Sequence, residues 1–451
     1  MGYAREGIAS KAKPLAAILL FGLALLLFLS VVRASVFTDV SEEKKIWFEL
    51  SFLLLAAILA EILVSYLKQP FVMVLLLVGV AISPSMIAAL YPPVAGAIAS
   101  AGISLPANPP VVVGTNELVM IFAKLGSILL LFKIGLHSET TKIFNAKNLL
   151  IALLGVVVPF LGGYLYATLT GHGFFYAMFL GAAFTATSVG VTVAVLEELK
   201  LMQTEVARAI LGAAVIDDIL ALLVLSFVIN VPSGIDASAI GALGAIAASA
   251  VVFVVGGILM GRYVVVNYFD PMLKSANGSG RGFLAMLAYL LLYAYVAEFI
   301  GLSAIVGAFV AGITMNYSRR TDELFRMFYP LEALFTPVFF ISLGLLVDVS
   351  ALAANIVPVL IVTAIAIATK IIGCGAGALF MRSPPKEALS IGVGMMPRGE
   401  IALIIGLYGL TALAPDGTPV LGAAEYAIIA SMAFLTTIIA PAAITAAARR
   451  K

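Results

Sequence analysis

Two adjacent aspartates stand inside an otherwise apolar run, Ala213-Ala214-Val215-Ile216-Asp217-Asp218-Ile219-Leu220. Charge at membrane depth costs roughly 2.5–3.5 kcal/mol on insertion scales, so an ionisable residue in such a run points to function by default. Adjacent positions on a helix differ by about 100° around the axis, so the two carboxylates meet different partners. One partner is Lys370, in the equally apolar run Ala368-Thr369-Lys370-Ile371-Ile372-Gly373. A buried lysine is best tolerated beside a carboxylate. Two acids facing one base leave one carboxylate to titrate or to hold a cation, and a proton and a metal ion then compete for the same oxygens. The plainer alternative is a static ion pair that holds a helical bundle together.

Two further stretches carry chemistry. Ala183-Phe184-Thr185-Ala186-Thr187-Ser188-Val189-Gly190-Val191-Thr192 is dense in hydroxyls. Gly392-Val393-Gly394-Met395-Met396-Pro397-Arg398-Gly399-Glu400 places Pro and Gly beside opposite charges. Irregular backbone at membrane depth is tolerated where it is buried or lines a cavity, and broken helices form substrate sites in transporters with inverted repeats. Oxygens of Thr185, Thr187 and Ser188 suit a hard monovalent cation, although helix–helix hydrogen bonding explains any single one of them equally well. If the breaks cross, helix termini of like sign approach each other, each carrying about half a charge. Arg398 and Glu400 are placed to neutralise that arrangement, a role as much structural as functional.

The elements that hold these residues are membrane helices. Hydrophobic residues make up 63% of the 451-residue chain and charged residues 11%, and mean hydropathy is +1.15. A soluble domain carries about 25% charged residues, so a soluble enzyme, a nucleic-acid binder and a disordered chain are excluded. A formal charge of +2 implies no polyanionic partner. One cysteine, Cys374, and two histidines, His137 and His172, exclude a disulfide framework within the chain and a cysteine- or histidine-rich metal site.

Runs of about 20 apolar residues span a bilayer core. Fourteen candidates occur, over about 15–32, 47–66, 71–90, 118–136, 149–169, 174–196, 205–229, 237–261, 282–300, 301–316, 330–346, 354–381, 386–412 and 421–447. Alternating-strand patterns are absent. With the N-terminus in the cytoplasm, 19 of the 26 Lys and Arg fall at cytoplasmic ends, as positive-inside bias requires. Only Arg33, Lys44 and Lys45 fall outside, while Lys124, Lys133, Lys370 and Arg398 lie within apolar segments. The C-terminus is therefore expected in the cytoplasm. The first run is either a helix or a signal peptide, since Val32-Arg33-Ala34 is a passable cleavage site. The expected class is an all-α polytopic membrane protein with 13 transmembrane helices plus an N-terminal hydrophobic segment. The sixth and thirteenth segments are seven apart, so they cross in opposite directions, each followed by one more helix. That is the layout of inverted repeats with two crossed discontinuous helices.

Taken together, Thr185-Ala186-Thr187-Ser188-Val189-Gly190, Asp217-Asp218, Gly307-Ala308-Phe309-Val310-Ala311-Gly312, Thr336-Pro337-Val338-Phe339-Phe340, Lys370 with Gly373, and Pro397-Arg398-Gly399-Glu400 resemble the monovalent cation:proton antiporter superfamily. The branch they resemble holds NapA-type sodium/proton antiporters and the related Kef-type potassium/proton systems. The ordered set extends over about residues 47–447. Each stretch alone is weak, and plain helix packing accounts for the Gly-Ala-Phe and Pro-Val-Phe-Phe stretches.

The resemblance implies an NhaA/NapA-like fold and a homodimer in the plasma membrane. Residues 47–136 and 282–346 are the implied dimerisation-domain helices, 149–229 and 354–447 the two repeats of an ion-transporting core, 237–261 a linker helix, and 1–33 a signal or extra segment. It implies an elevator-type exchange of sodium or lithium for protons, with no cofactor beyond the transported ions. Asp218 is the implied sodium ligand, and Asp217 the partner of Lys370 in a pair that loosens when the cation binds. An Asp-Asp pair is similar to the electrogenic, sodium-selective group. Kef-type systems usually carry Gln-Asp and a soluble nucleotide-binding tail, and neither is present. Lys124 departs from the pattern, in which an acidic or neutral residue precedes Leu-Gly.

Other classes fit less well. An intramembrane aspartyl protease needs carboxylates from two helices, whereas Asp217 and Asp218 share one. Nothing resembles a carbonyl selectivity filter of a channel. A sodium-coupled symporter on a related fold remains an alternative, against which the Lys370 pairing favours protons.

Overall fold

The computed structural model describes residues 42–67, 69–100, 108–109, 113, 117–136, 145–230, 237–271, 280–414 and 417–449, with the backbone alone for some, Glu400 among them. The N-terminal segment 1–33, His137 and most of residues 101–116 lie outside the described residues.

The described residues form helices, with a single bridge between Leu413 and Pro419. In chain order these are α1 (Glu42–Leu67), α2 (Phe71–Ala81), α3 (Pro84–Ser100), α4 (Glu117–Leu136), α5 (Ala146–Leu169), α6 (Phe174–Thr185), α7 (Val189–Glu198), α8 (Glu205–Asn230) and α9 (Ala237–Val264), which runs into a π turn at Val265–Phe269. They continue with α10 (Gly280–Phe299), α11 (Ala304–Met315), α12 (Thr321–Leu345), α13 (Val349–Ala354), α14 (Ile356–Phe380), α15 (Pro385–Gly394), α16 (Glu400–Thr411) and α17 (Ala423–Arg449). Among the described residues nine helices are long and apolar enough to cross a membrane, or ten if the bent pair α2–α3 is one span. Some of the other expected spans fall on elements too short for that measure. For example, α11 has only 12 residues, and α15 and α16 are short pieces separated by a break.

The expected continuous span 71–90 is instead bent by 53° after Ala81. Ser83-Pro84 is the cause. Proline disfavours helical geometry in the residue before it and suits the first turn after it. The Ser83 hydroxyl accepts the Met86 N–H at 3.2 Å and so caps the new helix. The abutting segments near Gly301 separate cleanly. Gly301 takes φ +86°, and Ser303 caps α11 by accepting the Ile305 N–H.

Two compact units result, 1–126 with 334–354 and 127–333 with 355–451. In the first, Ser85 Oγ donates to Val347 O at 2.7 Å and accepts the Val349 N–H, which fixes the start of α13. The second holds both Asp217 and Lys370. There α5 and α14 pack at backbone distance because Gly373 lies against Leu154 and Gly377 against Ile151. Small residues of this kind let membrane helices approach closely, and this brings the α5 backbone against Lys370.

Candidate functional site

Helix α6 stops at Thr185 and α7 resumes at Val189; α15 stops at Gly394 and α16 resumes at Glu400. The stops fall within the hydroxyl-rich stretch and before the Pro397-Arg398-Gly399 stretch. Proline lacks an N–H and cannot continue the ladder. The two interruptions meet: the Ser188 N–H donates to Pro397 O at 2.7 Å, and the Thr192 hydroxyl to Gly394 O at 2.6 Å. The Thr187 hydroxyl donates to Met395 O at a longer 3.4 Å. Gly399 permits the approach, since a Cβ there would lie 2.9 Å from Ser188 Cβ.

Lys370 is fully buried in α14, and its ammonium uses all three donors. It donates to Asp217 Oδ1 at 2.8 Å, to Gly155 O at 2.7 Å and to Thr185 O at 2.7 Å. Neither side chain of the ion pair is exposed. Asp217 Oδ2 is buried and accepts no hydrogen bond. Asp218 follows on α8 and is also buried.

Arg398 is buried as well. Its guanidinium donates to Ala186 O at 3.0 Å and to Ala366 O at 2.9 Å. Its backbone is held by two threonines of α17: the N–H donates to Thr436 Oγ1, and the carbonyl accepts from Thr437 Oγ1. Carbonyls at the C-terminal end of a helix carry partial negative charge. At the end of α6 the Thr185 and Ala186 carbonyls are thus met by two cations, whereas the end of α15 is met by hydroxyls. The Thr185 hydroxyl turns back to Ala182 O of its own helix, so its carbonyl, not its hydroxyl, faces Lys370. Glu400 opens α16; only its backbone is described.

Sequence reasoning pointed to Asp217, Asp218, Lys370, Arg398 and the hydroxyl stretch. It missed Gly155, whose carbonyl is a ligand of the Lys370 ammonium, and it missed Thr436 and Thr437. Glycine in an apolar helix carries no sign of which carbonyl it bares, and threonines in α17 look like ordinary packing residues. Cys374 also adjoins the site, since a Cβ on Gly155 would lie 2.5 Å from its sulfur. Among the described residues no group of three His, Cys, Asp or Glu is arranged to hold a metal ion.

The family described as sodium/hydrogen exchanger, transmembrane, matches residues 51–450. The chain belongs to that family. It is 32% identical over 407 residues to the Na(+)/H(+)-K(+) antiporter GerN of Bacillus cereus, covering 88% of this chain and 95% of GerN. It is 34% identical over 350 residues to the high-affinity Na(+)/H(+) antiporter NhaS3 of Synechocystis, covering 76% of this chain and 74% of that one. The solved structure of the sodium proton antiporter MjNhaP1 from Methanocaldococcus jannaschii at pH 8 superposes with a TM-score of 0.60 over 90% of this chain and 97% of that one. At 17% identity that likeness speaks for the fold. These relatives of the sodium/hydrogen exchanger family are transporters, not enzymes, and the family uses no organic cofactor.

Proposed function

We propose that the protein is a secondary active antiporter that exchanges sodium or lithium for protons across the plasma membrane. The observation that carries this reading is the fully buried Lys370–Asp217 pair, with Asp218 next to it on α8 and two interrupted helices meeting beside it. A lysine whose three donors are all satisfied is a fixed positive charge within the bundle. A cation arriving at the Asp218 oxygens also attracts the carboxylate of Asp217 and weakens its hold on Lys370. Asp217, Asp218 and Lys370 would thus alternate between a protonated and a cation-bound arrangement, never both. Thr187, Ser188 and the carbonyl of Thr185 would complete the oxygen shell. Arg398, with Glu400 in the first turn of α16, would offset the charge of the helix ends.

The finer reading rests on the family resemblance. It comprises a NapA-type protein with 13 spans, two crossed discontinuous helices in inverted repeats, a homodimer and a cytoplasmic C-terminus. Residues 47–136 and 282–346 would form the dimerisation domain, 237–261 the linker, and 149–229 with 354–447 a core that moves as an electrogenic elevator. A second reading adds potassium to the cargo. It is favoured by the name of GerN, which includes potassium.

The test is proton movement in proteoliposomes on adding sodium, lithium or potassium in turn, with membrane potential clamped and unclamped. Sodium-driven proton efflux without any organic solute is expected. Its absence with all three ions would overturn the exchange reading, and a requirement for an organic solute would replace it with symport.

A further inference from the structure

A second buried charge cluster lies away from the ion pair and plays no part in the chemistry above. Lys133, near the end of α4, places its ammonium 2.5 Å from Glu197 Oε1 and 3.3 Å from Glu332 Oε2. It also sits over the Phe325 ring at 5.8 Å. The three charges come from α4, α7 and α12.

The cluster is built unevenly. The lysine side chain is 11% exposed and that of Glu332 10%, but that of Glu197 is 39% exposed. The shorter contact therefore goes to the acid nearest water. Breaking a buried ion pair is costly because it leaves an uncompensated buried charge. Here it would leave none: Lys133 would keep Glu332, and the Glu197 carboxylate would be hydrated where it stands. The strong bond is the one that is cheap to open.

Its position gives that bond a role. Glu197 is the penultimate residue of α7, a helix of 10 residues whose other end begins at the interruption beside Asp217. At 1.5 Å per residue, α7 is a stiff rod about 15 Å long. Whatever fixes Glu197 also fixes the Ser188 end of the rod. We infer that Lys133 and Glu197 form a releasable clasp between α4 and α7, which opens in each transport cycle while Glu332 remains as the standing counter-ion of Lys133. Lys133 and Glu197 are thus positioning residues that act on the ion site through α7. The inference rests on the exchange reading, since only a site that must open to each side in turn needs such a release.

The geometry offers a test on the unaltered protein. A water-soluble carbodiimide joins a lysine and a carboxylate in contact without a spacer, and the 133–197 cross-link can be counted by peptide mass spectrometry. Sodium-driven proton exchange in proteoliposomes should fall in proportion to the cross-linked fraction. Glu197→Gln, treated identically, should keep its own exchange rate, because a 133–332 link joins partners that stay together. Untreated Glu197→Gln should shift the apparent KM for sodium threefold or more with its melting temperature unchanged. Full exchange by cross-linked protein would overturn the clasp, as would an unchanged KM in the variant. If wild-type vesicles move no protons before the reagent is added, the exchange reading itself fails, and the clasp with it.

Discussion

Lys370 and Arg398 grip neighbouring carbonyls of one helix end: the lysine donates to Thr185 O at 2.7 Å, the arginine to Ala186 O at 3.0 Å. Two fixed cations on consecutive carbonyls leave α6 with a firmly held terminus. One of them, Lys370, also carries the ion pair. A change at Asp217 is therefore felt at once by the backbone of the interruption.

Removing the ammonium exposes this dependence. Lys370→Met should leave the Asp217 carboxylate and two carbonyls buried without their donor, and should cost about 3–5 kcal/mol, the range for breaking a buried pair. A fall in melting temperature in detergent measures it. Sodium should restore part of that loss, since a ligand that binds only the folded state stabilises it. No fall in melting temperature would show that the pair holds nothing together.

Asp218→Asn should abolish sodium-driven proton exchange while leaving the melting temperature near that of the wild type. The change removes both a charge and a titrating group and keeps the shape. Retained exchange in reconstituted vesicles would remove Asp218 from the site.

Arg398→Lys should not be conservative. A lysine amine cannot reproduce the forked contact with Ala186 O and Ala366 O, because its donors radiate from one atom. Losing one buried hydrogen bond to a charged group costs about 1.5–3 kcal/mol. Reduced exchange and a lower melting temperature are expected together; wild-type values of both would assign Arg398 no part in holding the interruption.

Gly155→Ala should destabilise by about 1–3 kcal/mol through overpacking. The new Cβ would lie 2.5 Å from Cys374 Sγ and 3.7 Å from both Asp217 Oδ1 and Lys370 Nζ. Cys374→Ala in the same chain should relieve most of the strain, so the two changes should be strongly non-additive. Additive melting shifts would place the clash elsewhere.

Asp348 gives an expectation outside the membrane. Ser350 Oγ donates to its Oδ1 at 2.6 Å, and the N–H groups of Ser350 and Ala351 at 3.0 Å each. The Ser350 hydroxyl first, and then the Ala351 N–H, hold the carboxyl below its usual value. A folded-state pKa depressed in this way contributes stability above the unfolded value near 3.9, and that contribution is lost as pH falls through the folded value. Asp348→Ala should cost about 1 kcal/mol as a lost cap, less as solvent screens so exposed a group. The deficit should vanish in acid, and one that persists at low pH would rule out the carboxylate.

Much of this arrangement is legible in the chain because charge in an apolar run is rare and has few ways to be satisfied. Asp217, Lys370 and Arg398 announce themselves in that way, as do the stops around Thr185 and Pro397. What stays hidden depends on backbone carbonyls and on shape. Gly155 O reaches Lys370 only because α5 and α14 pack at Gly373 and Gly377. The bend after Ala81 follows from Ser83-Pro84, yet unbroken hydropathy over 71–90 hides it. Lys133 stands out as a charge, but its partners on α7 and α12 are 64 and 199 residues away (197 − 133 = 64), and nothing local to α4 names them.

The bond from Ser188 to Pro397 has one more consequence. An extended pair of residues normally exchanges two bonds, one in each direction, but an imino acid has nothing to give back. The meeting of the two interruptions therefore cannot grow into a ribbon. It is fastened at this point by a single main-chain stitch, and the ties on either side of it come from the side chains of Thr187, Thr192 and Arg398.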